Sequence, residues 1–399
     1  MKSDKKYKST DRRHSIKKTR FGPLLTVLFC TLLFAAFIFA LVLWGPKLMN
    51  LTLGCEPDWS CLTGSEPEAT HAPTATPYAT PDPAQSHALY GADLEKVQTE
   101  MLVESYQYLS DISYCAPYIV CVAGNYTTDG TAAFVRVVLH DTKTQQNTYL
   151  TLPQQYKSLR FPCVNENYVV YVDANGSGGG RIMSFNRATE QSIVLKTVHV
   201  GIPKLTLWGK YAAWIERTGS TRDKLFVCDV STGESATIAI YNNSSFGLSE
   251  PCLYEGLLWY VDDGGILECL DIESSQTTAF NTGLYVHDPK YNGKQVAFIT
   301  GNHGYDSDLY FFTADEPTPV LVSEGVIDFS LGDGFVSYCK NDKTYVYFFE
   351  DGVTFKITRS NETSLMLGAG GDFVIWMDTT WKDKDILEYM HVTEFDDEG

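Results

Sequence analysis

Carboxylates stand close together at three places in the sequence: Asp262 and Asp263, Asp306 and Asp308, and the group Asp378, Asp383 and Asp385. Paired carboxylates can do acid–base work, one delivering a proton while the other accepts one. All of them sit in polar, turn-forming segments, where solvated turn acids are the plainer expectation. The run Asp173-x-Asn175-x-Ser177-Gly178 spaces oxygen ligands two apart ahead of a glycine, as a calcium loop does, but Ser184 holds the twelfth position, where a bidentate glutamate is needed. A Gly-rich hairpin is expected there, with no metal and no cofactor. A nucleophile elbow is absent: the nearest run, Asn175 to Gly180, lacks the first glycine of GxSxG. HExxH, Walker A, dinucleotide and Ser-x-Asp-x-Gly motifs are absent too. Aromatic side chains interrupt the same polar segments at Tyr126, His303, Tyr305 and Trp381, and others (Tyr156, Tyr241, Phe246, Tyr285, His287) fall between larger sequence units. Tyr126, His303, Tyr305, Trp381, Tyr156 and Tyr241 are the ligand-binding candidates, since an exposed ring offers contact area to a sugar or peptide.

These segments are loops of a repeating unit. A short apolar block recurs as YIVCV (Tyr118–Val122), YVVYV (Tyr168–Val172), YAAWI (Tyr211–Ile215), LLWYV (Leu257–Val261), QVAFI (Gln295–Ile299), FVSYC (Phe335–Cys339) and FVIWM (Phe373–Met377). The intervals of 50, 43, 46, 38, 40 and 38 residues match the length of a four-stranded propeller blade. The fourth residue of each block is Cys121, Tyr171, Trp214, Tyr260, Phe298, Tyr338 or Trp376, and these large side chains are expected between blades rather than at a binding face. A second apolar block follows each first one after a polar hairpin, and a third strand follows in its turn, as in SATIAI. The fold class expected is therefore all-β: a seven-bladed β-propeller ectodomain following one N-terminal transmembrane helix. The seventh repeat lacks an outer strand before the sequence stops, and the segment Lys96 to Tyr106 is expected to supply it, removing an exposed sheet edge.

The stretch His287 to Phe312 (HDPKYNGKQVAFITGNHGYDSDLYFF) resembles the TolB-like, or WD40-like, β-propeller repeat, in which a proline and an N-G or D-G turn precede an apolar strand and a later aspartate leads into an L-Y strand. KLFVCDVSTGES (Lys224 to Ser235) is similar to the end of such a repeat. The first and sixth copies lack the proline and the later aspartate. The resemblance implies a propeller and no single activity, because that family includes binding platforms, envelope partners and accessory domains of peptidases.

Ahead of the repeats, residues 21–46 carry no charge and are long enough to cross a bilayer. Nine Lys/Arg precede this run, so a single-pass helix with a cytoplasmic N-terminus and an extracytoplasmic propeller is expected at the cell membrane. The domains are read as a basic tail 1–20, the helix 21–46, a Pro/Thr-rich stalk 47–90 containing Cys55 and Cys61, and the propeller 91–399. Residues 21–399 carry a net charge of −25, which argues against nucleic acid as a partner. The function expected from these readings is a non-catalytic cell-surface module, not an enzyme, that binds a protein, peptide or glycan or scaffolds an envelope complex. The alternative is a propeller hydrolase or lyase acting on extracellular glycans or peptides.

Overall fold

The computed structural model describes residues 87–88, 99–101, 106–126, 132–156, 158–218, 222–242, 249–301, 307–357, 364–378 and 385–392. The chain divides into two compact units, residues 1–76 and 77–399, and every described residue belongs to the second. The expected transmembrane segment and the Cys55/Cys61 loop lie outside the described residues. Among the described residues there is no α-helix, and the strands form seven separate sheets.

Blade 1 shows the common plan, with Tyr108–Cys115, Tyr118–Tyr126, Ala132–Asp141 and Gln146–Leu150 hydrogen-bonded in sequence order, each antiparallel to the next. The recurring apolar block is the second strand of every blade. Its fourth residue is buried in all seven copies, the most exposed being Tyr260 and Tyr338 at 4 %. Seven hydrophobic clusters fill the interior, and each spans two neighbouring blades: Val172 and Ile182 of blade 2 meet Trp214 and Phe226 of blade 3, and Ile119 and Cys121 of blade 1 meet Ile375 and Leu387 of blade 7. A strand covered on both faces gains nothing from polar–apolar alternation, which is why the blocks read as unbroken apolar runs. The thiols of Cys121 and Cys269 are free, and burial raises each to about 12, in keeping with small buried hydrophobes.

Blade 7 takes its outer strand from the N-terminal side. Thr99–Met101 pairs antiparallel with Ile386–His391, and the Met101 side chain is 1 % exposed in the cluster shared by blades 7 and 1. Ring closure is therefore as expected from the shortened last repeat. A further strand comes from the segment read as stalk: His87–Ala88 lies parallel to Thr354–Lys356 and makes blade 6 five-stranded.

The closure carries a polar latch. His140, 3 % exposed on the third strand of blade 1, meets the Tyr389 hydroxyl of blade 7 through Nε2 at 3.0 Å and Asn147 through Nδ1 at 2.8 Å. Burial lowers its pKa below the ordinary histidine value, against the raising influence of Asn147 and Asp141. The unfolded chain then takes up the proton first as pH falls, so this contribution is complete above about pH 6.5 and is lost progressively below it. Thermal melts at stepped pH are expected to show a decline starting near that value, which the His140→Gln variant lacks; identical pH dependence in both proteins counts against the latch.

Candidate functional site

The innermost strands surround a central channel. In each blade, the residue seven positions before the start of the second-strand block lies on or beside the innermost strand: Asp111, Phe161, Lys204, Glu250, Asp288, Asp328 and Met366. The first six line one cavity of about 690 Å3. Two residues further on, strand alternation returns Ser113, Cys163 and Lys290 to the same cavity. The site is thus a ring drawn from six blades, with four carboxylates (Asp111, Glu250, Asp288, Asp328) and two lysines facing inward.

The inner edge of a blade leaves backbone groups without a ladder partner, and they need partners of another kind. Side chains of the second layer supply them, each reaching a carbonyl of the next blade: Ser113 Oγ to Pro162 at 3.4 Å, Cys163 Sγ to Leu205 at 3.1 Å, Thr206 Oγ1 to Leu253 at 3.5 Å, Cys252 Sγ to Tyr291 at 4.0 Å, Lys290 Nζ to Phe329 at 2.6 Å and Ser330 Oγ to Ala369 at 3.3 Å. This belt runs from blade 1 round to blade 7. Gly368 holds the equivalent seventh position and has no side chain to continue it. There the junction is made by Asp385, whose Oδ2 accepts the Leu109 N–H of blade 1 at 2.8 Å.

The ring charges are held in defined places. Arg160 forks onto Asp111 (Nε–Oδ2 2.6 Å, Nη2–Oδ1 3.0 Å), and the Phe161 N–H donates to the same carboxylate at 3.0 Å. Lys204 pairs with Glu250 at 2.7 Å. The channel walls desolvate this ammonium, but the charge and hydrogen bond of Glu250, with Asp328 and Asp288 nearby, outweigh that cost and raise its pKa. Asp288 Oδ1 accepts the Glu250 N–H at 2.7 Å. Asp328 spends Oδ1 on the N–H of Phe329 at 2.8 Å, and its Oδ2 has no hydrogen bond among the described residues. Asp111, Phe161 and Asp288 adopt left-handed backbone (φ 52°, 48° and 49°), each at a register shift in its strand. For Phe161 in particular this conformation is costly, and such strain concentrates where a structure positions groups for work.

The residues expected to bind ligand lie elsewhere. Tyr126 is 55 % exposed at the end of its strand and packs edge-on against Tyr108, with ring centroids 4.4 Å apart. Tyr156, half-buried, gives its N–H to Asp173 and lies under the Arg181 guanidinium at 5.7 Å. Tyr241 must be corrected: it is 4 % exposed within the blade 3–blade 4 cluster and offers no ring to a ligand. His287 is likewise buried, whereas Tyr285 is exposed. His303, Tyr305, Trp381, Phe246, Asp306 and Asp383 lie outside the described residues.

The hairpin carboxylates tie loops together. Asp173 accepts the Gln155 and Tyr156 N–H groups and pairs with Arg181 at 2.6 Å, and Asp263 accepts the Asn242 N–H at 2.8 Å. Asp262 accepts Gly264 and Ile266 of its own turn, and Asn175 Oδ1 binds the N–H groups of Ser177 and Gly179, as an ordinary hairpin does. Burial raises the Asp385 pKa, opposed by its bond to Leu109. The inner-strand ring escaped the sequence reading, although its constant offset from the apolar block was a usable signal.

No protein-family model matches the sequence, and no curated protein does. Solved structures share the fold. The propeller domain of the trilobed protease from Pyrococcus furiosus is 12 % identical with a TM-score of 0.52, over 73 % of this chain and 100 % of that one. An oligogalacturonate lyase from Vibrio parahaemolyticus is 13 % identical with a TM-score of 0.51, over 76 % and 96 %. An acylaminoacyl peptidase is 9 % identical with a TM-score of 0.53 over 72 % of this chain; the match spans 52 % of the peptidase, about half its length.

The expectation of a non-catalytic module is corrected at this point. The similar propellers named above come from two peptidases and a lyase. Independently, the centre of the ring holds converging carboxylates and lysines instead of a shallow aromatic face. At these identities the likeness itself establishes the fold alone.

Proposed function

We propose that the protein is a propeller hydrolase or lyase that cleaves an extracellular glycan within the central channel by carboxylate acid–base chemistry. The observation that carries this reading is the inward convergence of Asp111, Lys204, Glu250, Asp288 and Asp328 from five blades at matching positions, with Lys290 two residues beyond Asp288 on the same cavity. Asp111 and Glu250 are held in ion pairs and Asp288 accepts the Glu250 N–H, whereas Asp328 accepts the Phe329 N–H through Oδ1 and keeps Oδ2 without a hydrogen bond among the described residues, so Asp328 is assigned the proton transfer. Lys204, kept charged by its acidic neighbours, stabilises negative charge that develops on the substrate. A glycan is favoured over a peptide because the lyase match spans nearly the whole of that protein, and because no GxSxG nucleophile motif occurs in the sequence.

The repeats are proposed to be of the TolB-like kind, supported by the Pro, Asn-Gly and Asp-Leu-Tyr signature of His287 to Phe312. Membrane anchorage with the propeller outside is likewise a proposal, supported by the uncharged run 21–46 and the cations before it. The experiment is incubation of the purified full chain with a panel of wall glycans and peptides. Release of new reducing ends is expected from a glycan; an ultraviolet-absorbing unsaturated product identifies elimination, and its absence hydrolysis. Cleavage of peptides alone, or of nothing, overturns the reading.

A further inference from the structure

A second cavity of about 440 Å3 adjoins the channel, with Phe161 lining both. Its other walls include Arg160, Ser177 and Gly178 from the Gly-rich hairpin of blade 2, and His199 and Gly201 from the connection to blade 3. No carboxylate lines it, in contrast to the four in the channel. Arg160 turns Nε and Nη2 to Asp111, and its Nη1 has no partner among the described residues. His199 is exposed without a hydrogen bond among those residues. Arg217 borders the cleft: a side chain at Gly201, which has φ +71°, would meet the Arg217 Cδ at 3.3 Å. Arg217 is exposed, and no carboxylate pairs with it among the described residues.

We infer that this cleft is a subsite for one carboxylate of the glycan, a uronic-acid unit next to the bond cleaved in the channel. The inference rests on the glycan reading above. Outside its basic tail the chain is strongly acidic, so Arg160, His199 and Arg217 standing together, with Asp111 the one carboxylate bonded to them among the described residues, stand out as local placement. Salt screens the distant negative charge over about 10 Å, leaving Arg160, His199 and Arg217 to act at contact range. The acidic channel next door disfavours a long polyanion, so the subsite takes a single acidic sugar among neutral ones. Arg160 connects the two cavities, because the side chain that reaches the substrate carboxylate also fixes Asp111.

The test is titration calorimetry on the purified full chain with two probes: a neutral trisaccharide ending in one glucuronate, and its methyl ester. The acid is expected to bind about tenfold more tightly than the ester, as one charge-assisted hydrogen bond to a carboxylate would give. In the His199→Ala, Arg217→Ala double variant, whose altered side chains hold no partner among the described residues, that preference is expected to shrink several-fold. An unchanged preference in the double variant overturns the subsite. Equal binding of acid and ester by wild type overturns the subsite, and cleavage of either probe by wild type that is lost in Asp328→Asn leaves the channel reading standing. Failure of both probes to bind overturns the glycan reading and the subsite together.

Discussion

Asp328→Asn is expected to lower turnover by about 10^2 to 10^4-fold while substrate affinity changes little, because a positioned carboxylate acts chiefly in the transition state. The substitution keeps the shape and the oxygen that accepts the Phe329 N–H, so the fold survives. Lys204→Met should also reduce turnover, with little change in stability because the Lys204–Glu250 pair is largely exposed. The contrast with Tyr126→Ala is the control. Tyr126 lies exposed at a strand end, packs on Tyr108 and does not line the channel cavity, and its removal should leave turnover within about twofold, since surface changes away from special features are near neutral. Initial rates at saturating and limiting substrate separate the two parameters. Full activity in Asp328→Asn would remove this residue from the mechanism.

Met101→Asp is expected to destabilise the propeller by about 3–5 kcal/mol, the cost of an uncompensated buried charge. Met101 is 1 % exposed and lies against Leu387 and Tyr389 of blade 7 and Leu109 of blade 1. Deleting Thr99–Met101 should do more: the ladder edge of Ile386–His391 would face solvent and invite association between chains. Denaturant unfolding followed by tryptophan fluorescence, with light scattering alongside, measures both effects. An unchanged midpoint in Met101→Asp would mean that the strand contributes no stability to the ring.

Much of the architecture was legible because the blade interfaces impose one requirement seven times. Each second strand must be apolar on both faces and bring a large side chain to its fourth position, so Tyr171, Trp214, Phe298 and Trp376 announce a repeat before any coordinates are known. The missing last strand was legible for a related reason, since a sheet edge left open must be paired by some other segment. The position of the fifth strand in blade 6 was not: His87–Ala88 follows a Pro/Thr-rich run and offers only two residues of pattern. Tyr241 was misread because a tyrosine near a turn looks like a loop aromatic, and only the packing of blade 3 on blade 4 shows it to be core.

By itself the sequence determined the all-β class, the number of blades and the segment that closes the ring, because these follow from local apolar periodicity and from edge pairing. The tertiary structure alone decided which polar residues face one another. Asp111, Lys204, Glu250, Asp288 and Asp328 mix both signs of charge and stand 38 to 93 residues from the next of the set. Their constant offset from the apolar block marks only a place along each repeat; it is the radial closure of the blades that brings the innermost strands round one channel and these side chains together. The hairpin acids, adjacent in sequence, were turned instead to backbone N–H groups of the loops they tie, because a buried connection must satisfy its own donors first.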